Sequence, residues 1–148
     1  MGAMSDQCIF CDIVSGVAPA SWVYQDDTVV AFMDIQPITQ GHMLVMPREH
    51  AVLITDINEA AAARSFKVAR KLAAVARHTL GASGINIIVM DGEAAYQDVP
   101  HFHVHVTPRY PNDGFGLTFP PTYENKPARA QLDAIAAALH AATQPATA

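Results

Sequence analysis

The chain has 148 residues, of which 51% are hydrophobic and 16% charged, with a formal net charge of -5. This length supports one hydrophobic core of ordinary size, and the composition excludes disordered, fibrous and collagen-like proteins. The nine Lys and Arg residues form no basic run, which argues against binding to nucleic acid or to an anionic membrane surface. No apolar run reaches the roughly 18 residues that span a bilayer, and no secretory signal is recognisable, so we expect a cytoplasmic protein.

Short strands are predicted for the first third of the chain. Residues 8–15 are apolar on one side and favour a short helix, which ends before Pro19. Residues 21–24 and 28–34 are rich in β-formers and flank an Asp-Asp turn, which indicates a hairpin. Residues 42–47 (HMLVMP) form a further strand that ends at proline.

A long helix is predicted over residues 58–80. Asp56 and Glu59 resemble a capping box, and Gly81 stands where a helix C-terminal glycine is common. The spacing of three and four residues predicts a buried stripe made of Phe66, Ala69, Leu72, Ala73, Ala76 and Leu80.

The element order continues with a strand over residues 84–90, a polar loop over 91–98 and a segment over 100–109, with a second helix after Pro127. This order predicts an α+β fold in which an antiparallel or mixed sheet carries helices on one face. We predict a single domain over residues 5–143. Residues 1–4 are expected to be a cloning remnant or disordered, and residues 144–148 a disordered tail.

The histidines of the segment H-F-H-V-H-V, which are His101, His103 and His105, alternate with apolar residues. Strict alternation predicts a strand on which the three imidazoles point the same way, about 6.7 Å apart. Three interpretations follow: a solvated polar face, a metal site made of all three rings, or a nucleophile with a neighbouring acid or phosphate-binding group.

The two cysteines, Cys8 and Cys11, stand in the motif C-I-F-C. In a reducing compartment this spacing indicates metal binding or redox chemistry more often than a structural disulfide. Together with His50 and His101 they would complete a closed Cys₂His₂ zinc site, which has no open position for substrate and is therefore structural. Such a site leaves two histidines of the motif free for chemistry. The alternatives are a thioredoxin-like redox pair or two inert thiols.

The segment from His101 to Thr107 resembles the H-x-H-x-H-x-x motif of the histidine triad (HIT) family. F-M-D-I around Asp34, followed by Pro37, and G-H-M-L-V-M-P-R-E-H over residues 41–50 resemble the first half of that family in order and spacing. C-I-F-C resembles the zinc-containing bacterial members of the Hint-like branch. The resemblance covers roughly residues 8–109. It implies a five-stranded antiparallel sheet with a long central helix and a C-terminal helix, and a homodimer with one continuous ten-stranded sheet.

The resemblance also implies a reaction: cleavage of the bond between the α-phosphorus of a nucleoside 5′-monophosphate and its leaving group. His103 would be the nucleophile and form a nucleotidyl-histidine that water hydrolyses, while the main-chain carbonyl of His101 holds the other ring nitrogen. His105, His42 and Gln97 would contact the phosphate oxygens and stabilise charge in the transition state.

The same resemblance implies a nucleotide site. Asp34 would accept hydrogen bonds from the ribose hydroxyls, although a carboxylate at a strand end is also common in turns. The base pocket would be walled by Ile9, Phe10, Ile13, Ile35 and Leu44, and such an apolar cleft predicts broad purine specificity.

The resemblance implies hydrolysis of a purine phosphoramidate or acyl nucleotide. The alternatives are a dinucleoside polyphosphate hydrolase, as in the fragile-histidine branch, a zinc-stabilised nucleotide-binding module with little catalysis, and an enzyme with a catalytic metal on the triad.

Three residues depart from the family pattern. Tyr96 replaces the usual glycine of A-G-Q, which implies either a different loop or a narrower leaving-group side. Met90 stands where many members have asparagine, which removes a polar contact near the sugar. Asp98 stands where a serine or another small residue is frequent, and its carboxylate would repel an anionic leaving group and favour a cationic amine.

Overall fold

A computed structural model of the chain describes residues 8–146. The expectation for residues 1–4 lies outside this range, as do residues 5–7, 147 and 148. The chain forms two compact units, of which the first ends at Phe115 and the second begins at Gly116. The prediction of a single domain over residues 5–143 stays a prediction.

The first unit contains a five-stranded antiparallel sheet in the order β1-β2-β3-β5-β4. In chain order the elements are α1 (Ile9–Val14), β1 (Trp22–Gln25), β2 (Val29–Met33), β3 (Met43–Pro47), α2 (Glu59–Leu80), β4 (Gly84–Ile88), a 3₁₀ turn (Glu93–Ala95) and β5 (Val104–Arg109). This arrangement confirms the predicted α+β fold with a five-stranded antiparallel sheet.

Strands β2 and β3 are buried on both faces because each face carries a helix. Successive side chains of a strand point to opposite faces. Val29 and Val45 therefore pack in the core beneath α2, whereas Phe32 and Leu44 pack with Phe10 of α1. The expectation that the helices share one face is wrong for α1, which builds a second, smaller core on the opposite face.

Helix α2 begins and ends with capping residues. Asn58 is the N-cap, and its side chain accepts a hydrogen bond from the Ala61 N–H at 2.9 Å. Asp56, the cap expected from the sequence, instead accepts from the Leu53 N–H in the preceding turn. Gly81 adopts the left-handed conformation at φ 68°, as predicted for a C-terminal glycine.

The buried stripe of α2 is rotated relative to the prediction. Phe66 and Leu80 are 42% and 37% exposed. Ala69, Leu72 and Ala76 are buried as predicted, and the other buried positions are Ala61, Ser65 and Val68. Small residues dominate this stripe, which lets the helix approach the sheet closely. None of the helices within residues 8–146 has the length and apolarity needed to cross a bilayer.

The second unit contains α3 (Arg129–Thr143), which follows Pro127 as predicted. No residue of α3 is buried. Before the helix, the rings of Phe119 and Tyr123 stack with their centroids 4.4 Å apart.

Strand β5 places the histidine motif at the edge of the second core. His105 pairs with Leu44 of β3 on one side and with Ile88 of β4 on the other. The strand begins at Val104, later than the predicted segment, so His101 and His103 precede it. The alternation nevertheless holds, because Phe102 and its apolar successors pack in the core beneath α2.

Candidate active site and metal centre

A cleft of about 250 Å³ lies on the face of the sheet that carries α1. The six residues predicted to bind the nucleotide all line it: Ile9, Phe10, Ile13, Asp34, Ile35 and Leu44. Ile35 lies at the rim and is 99% exposed. His103 and His105 contribute to the same wall. Sequence reasoning missed Phe32 and Val99, which also line the cleft; the alternation of β2 could have placed Phe32 on this face.

Asp34 stands at the end of β2 with its carboxylate divided between two environments. One oxygen, Oδ1, accepts the Gln36 N–H at 2.8 Å and closes a turn. The other, Oδ2, lies 3.7 Å from His42 Nε2. The side chain is 20% exposed and lines the cleft. Asp34 can therefore close the turn with one oxygen and serve the cleft with the other, since Oδ2 can still accept a hydrogen bond from a hydroxyl.

The orientation of His103 is set by a main-chain carbonyl. Its Nδ1 lies 2.6 Å from the His101 carbonyl oxygen. A carbonyl oxygen only accepts, so Nδ1 must carry a proton, and in the neutral ring the lone pair is then on Nε2. The ring is 3% exposed, and the edge of Phe10 packs against it at 5.0 Å. A neutral imidazole with its Nε2 lone pair held ready is a suitable nucleophile.

A chain of hydrogen bonds gives His105 the opposite tautomer to His103, with its proton on Nε2. The Ile38 N–H donates to His42 Nδ1 at 3.1 Å, which leaves the proton of His42 on Nε2. That Nε2–H lies 3.0 Å from His105 Nδ1 and donates to it. The proton of His105 is therefore on Nε2. This atom is buried and has no protein partner among the described residues, so it can donate to a phosphate oxygen.

His42 lies behind His105 instead of on the wall of the cleft. It is 1% exposed and does not line the cleft. The direct phosphate contact expected for His42 is not formed by this arrangement, because both of its ring nitrogens already have protein partners. Its role becomes the orientation of His105.

Burial keeps the imidazole rings of His42 and His105 neutral. Burial lowers the pKa of His42, against the opposing effect of the Asp34 carboxylate. Burial, and then the neighbouring His103 and His42, lower the pKa of His105 to about 4. Both imidazoles are therefore uncharged near pH 7, in agreement with the tautomers that the hydrogen bonds require.

Gln97 does not reach the phosphate position that the sequence predicted. Its Oε1 accepts the Gly92 N–H at 2.8 Å, and its Nε2 donates to the carbonyls of Val52 and Val99. The side-chain amide is hydrogen-bonded to three main-chain groups, and the residue does not line the cleft. Gln97 thus holds the loop before the histidine motif in place.

The loop residues Tyr96 and Asp98 flank that glutamine. Tyr96 takes φ 65° and ψ 29°, the conformation that glycine adopts without strain, and it is 84% exposed. The backbone conformation is thus retained in spite of the tyrosine. Asp98 lines the cleft, with Oδ1 at 3.9 Å from His103 Nε2 and a side chain that is 78% exposed.

The four predicted metal ligands come together beside the nucleophile. Cys8, Cys11, His50 and His101 have ligand atoms within 4.8 Å of one another. His101 Nδ1 lies 3.7 and 3.6 Å from the two sulfurs, and His50 Nδ1 lies 3.3 Å from Cys11 Sγ. Tetrahedral zinc with ordinary Zn–S and Zn–N bonds requires a separation of about 3.6 Å. The donor set therefore fits Zn²⁺ in both chemistry and spacing.

The protonation of these ligands supports the same assignment. His101 Nε2 donates to the Pro47 carbonyl at 2.8 Å, which leaves the lone pair on Nδ1, facing the sulfurs. Burial, followed by the adjacent Cys8, raises the pKa of the Cys11 thiol to about 11. Two thiols so close together become thiolates readily only when a cation compensates their charge.

A second group of ligand atoms, from Asp34, His42 and His105, does not fit a metal. The Nε2 of His42 carries a proton that His105 accepts, so neither atom offers a free lone pair to an ion. A catalytic metal on the histidine triad is not favoured either, because the ring of His101 faces the cysteines.

Residues 15–112 match the HIT domain. The chain belongs to the HIT family. It is 42% identical over 112 residues to an uncharacterised HIT-like protein of Borreliella burgdorferi, covering 74% of this chain and 81% of the relative. HIT proteins are generally nucleotide-binding hydrolases.

Two solved structures of HIT proteins match closely. A zinc-bound histidine triad family protein from Mycobacterium smegmatis superposes with a TM-score of 0.72 at 41% identity, covering 87% of this chain and 97% of that one. A histidine triad nucleotide-binding protein from Candida albicans superposes with a TM-score of 0.80 at 27% identity, covering 90% and 95%. The zinc-bound relative fits the predicted bacterial Hint-like branch.

Proposed function

We propose that this HIT protein hydrolyses a purine nucleoside 5′-phosphoramidate or a related acyl nucleotide through a nucleotidyl-histidine intermediate. The observation that carries the proposal is the state of His103. Its Nδ1–H is bound to a main-chain carbonyl at 2.6 Å, and the ring lines the cleft. The lone pair on Nε2 is thereby available for attack on phosphorus.

In the first step, His103 Nε2 forms a bond to the α-phosphorus, and the bond from phosphorus to the leaving nitrogen or oxygen breaks. The leaving group takes a proton from solvent. The ring becomes cationic, and the His101 carbonyl that accepts its Nδ1–H stabilises this charge. The His105 Nε2–H donates to a phosphate oxygen, on which negative charge increases in the transition state. Water then cleaves the P–N bond and releases the nucleoside monophosphate.

The nucleoside would bind along the wall made by α1 and β2. Asp34 Oδ2 is placed to accept ribose hydroxyls, and a carboxylate can accept both hydroxyls of a cis-diol. The apolar side chains on the cleft wall, among them Phe10 and Leu44, would contact the base. Because these walls offer the base few polar anchors, we propose that adenine and guanine nucleotides both bind.

Asp98 favours an amine leaving group over a polyphosphate. Its carboxylate lies 3.9 Å from the nucleophilic nitrogen, and the leaving atom of an in-line displacement stands on the opposite side of phosphorus. The charge of Asp98 therefore acts on the leaving group at longer range, and two unit charges about 8 Å apart interact by about 0.5 kcal/mol at the dielectric constant of water. Asp98→Asn should therefore change the ratio of kcat/KM for an amine-bearing phosphoramidate and a dinucleoside polyphosphate by about twofold, in favour of the polyphosphate. An unchanged ratio would remove this argument against the polyphosphate alternative.

We further propose that the Cys₂His₂ site holds structural Zn²⁺, which links α1 to the segments around His50 and His101. When bound, zinc supplies cross-links that a chelator would remove, lowering the melting temperature. Two free thiols at this site suit a reducing compartment, and we propose the cytoplasm.

We propose a homodimer in which β4 strands pair into a ten-stranded sheet. Strand β4 is an edge strand with regular register, whereas the other edge, β1, has an irregularity between Trp22 and Tyr24. Regular edges pair readily and irregular ones do not. Sedimentation equilibrium should give twice the monomer mass, and Ile87→Lys on β4 should shift the equilibrium to the monomer. A monomeric wild type would refute this assembly.

The experiment that tests the reaction looks for the intermediate directly. The protein is incubated with adenosine 5′-phosphoramidate, quenched in base and digested, and the peptide that contains His103 is weighed by mass spectrometry. We expect an adenylate on this peptide and turnover in the wild type and in the surface control His78→Ala, and neither in His103→Ala. Nucleotide binding without adduct or turnover would favour the zinc-stabilised binding module instead.

A further inference from the structure

One peptide unit connects the metal site to the nucleophile. The residue His101 contributes its ring to the Cys₂His₂ cluster and its carbonyl oxygen to His103 Nδ1. In the same peptide unit, the Phe102 N–H donates to the Ala51 carbonyl at 2.7 Å. Ala51 directly follows His50, the fourth ligand of the cluster. This peptide unit thus begins at one predicted metal ligand, His101, and is hydrogen-bonded to the residue that follows another, His50.

The strand ladder does not hold this peptide unit in place. Strand β5 begins only at Val104, and its first pairing with β3 joins Val104 to Val45. Before that point, the His101 N–H donates to the Val99 carbonyl within the preceding loop. The direction of the His101 carbonyl consequently depends on the His101 ring, on the Ala51 contact and on the packing of Phe102 in the core.

The ring of His101 has no rotational freedom when the cluster holds a metal. Its Nε2 donates to the Pro47 carbonyl at 2.8 Å, and its Nδ1 lies 3.6–3.7 Å from the two sulfurs. The residue is 0% exposed. Without a cation, two neighbouring thiols compete for the single Nδ1 lone pair of His101. His50 then contacts Cys11 Sγ at 3.3 Å and the His101 ring at a centroid distance of 5.2 Å, with no bond that fixes both.

We propose that the metal site sets the tautomer and the orientation of His103, with His101 and His50 acting as positioning residues through the peptide unit between His101 and Phe102. Loss of the metal removes the bonds that join the His101 ring to the segment of His50 and Ala51, so the contact of the His101 carbonyl with His103 Nδ1 weakens and His103 exchanges between its two neutral tautomers. In the Nε2–H tautomer the nucleophilic lone pair is absent from the atom that faces the cleft. The proposal rests on the function proposed for His103, and it makes the metal a determinant of kcat as well as of stability.

The test compares the tautomer of His103 in the zinc-loaded wild type and in a metal-site variant, by long-range ¹H–¹⁵N NMR on ¹⁵N-histidine-labelled protein. In the zinc-loaded wild type we expect the Nδ1–H tautomer. In His50→Ala, which removes one ligand but leaves His101 intact, we expect a mixture of tautomers. We also expect kcat to fall by about 10- to 100-fold, the usual effect of losing a group that orients a ligand or nucleophile. The Kd for AMP should stay within about threefold of the wild type, because the cleft walls are unchanged.

The variant His50→Cys supplies the control, since a Cys₃His set also binds zinc. It should restore both the Nδ1–H tautomer and kcat. If His50→Ala does not fold, zinc is removed from the wild type with a chelator while circular dichroism follows the fold, and the tautomer is read before unfolding. A metal-free, folded protein that keeps the Nδ1–H tautomer and an unchanged kcat would overturn the proposal.

The NMR measurement separates this inference from the proposed function. The tautomer of His103 is measured without substrate. If the zinc-loaded wild type forms no adenylate, the proposed reaction fails, yet a change of tautomer on zinc loss still supports the coupling. If the adenylate forms but the tautomer is independent of zinc, the coupling alone is refuted.

Discussion

Which ring nitrogen of His105 carries the proton should depend on His42, and two amide substitutions at His42 can test this. In a histidine, Nδ1 corresponds in position to the side-chain amide atoms of asparagine, and Nε2 to those of glutamine. His42→Asn can still accept the Ile38 N–H but cannot reach His105, whereas His42→Gln can still donate to His105 Nδ1. The native ring makes both contacts, at 3.1 and 3.0 Å.

The magnitude follows from what His105 presents to the cleft. Without the donor on its Nδ1, the ring can place its proton there and turn an Nε2 lone pair towards the anionic phosphate. Removing one preorganised donor from a developing oxyanion costs about 10²–10³ in kcat, or about 3–4 kcal/mol. We therefore expect His42→Asn to lose at least about 100-fold in kcat, and His42→Gln to stay within about tenfold of the wild type.

The assay is steady-state hydrolysis of adenosine 5′-phosphoramidate, with the NMR tautomer of His105 as a second readout. Thermal unfolding of both variants controls for the loss of buried ring atoms, which the two share. Equal activity of His42→Asn and His42→Gln would refute the reasoning, because only His42→Gln keeps a donor for His105 Nδ1. An Nε2–H tautomer retained in His42→Asn would refute it independently of activity.

Three further predictions concern stability, pH and binding. Tyr96→Gly should stabilise the protein by about 1 kcal/mol and raise Tm by roughly 2–4 °C. Removing the strain of a left-handed tyrosine gains about 1–2 kcal/mol, which exceeds the entropy that glycine loses on folding. Gly81→Ala, at φ 68° in open space, should lower Tm in the same calorimetric scan. His105 is protonated near pH 6.5 in the unfolded state but only near pH 4 in the folded state. The free energy of unfolding should therefore fall by about 3 kcal/mol as the pH drops from 6.5 to 4. In urea titrations, His105→Gln should show a smaller fall over the same pH range. Asp34→Asn should weaken AMP binding about tenfold in calorimetry but leave 2′,3′-dideoxy-AMP unaffected, because only the hydroxyls address the carboxylate; equal losses for both ligands would exclude the ribose contact.

Much of the fold and of the site was predictable because it depends on local patterns. Alternation in H-F-H-V-H-V placed the apolar side chains beneath α2, and the Cys-x-x-Cys spacing with two histidines indicated the cluster that the structure assembles. The six residues that the resemblance to the HIT family implies for nucleotide binding all line one cleft, and their binding role stays a prediction. These successes have a common basis, since period and ligand chemistry are properties of the sequence itself.

Other features depend on contacts between distant segments, and the sequence alone could not supply them. Whether Gln97 faces phosphate or main chain depends on where the Val52 carbonyl lies, 45 residues away. Likewise, His42 and His105 are 63 residues apart, and their placement decides which of them lines the cleft. The sequence by itself determined which side chains are available for the proposed chemistry. Tertiary structure alone decided the tautomer of each imidazole, because a ring nitrogen keeps or gives up its proton according to the partner that packing places beside it.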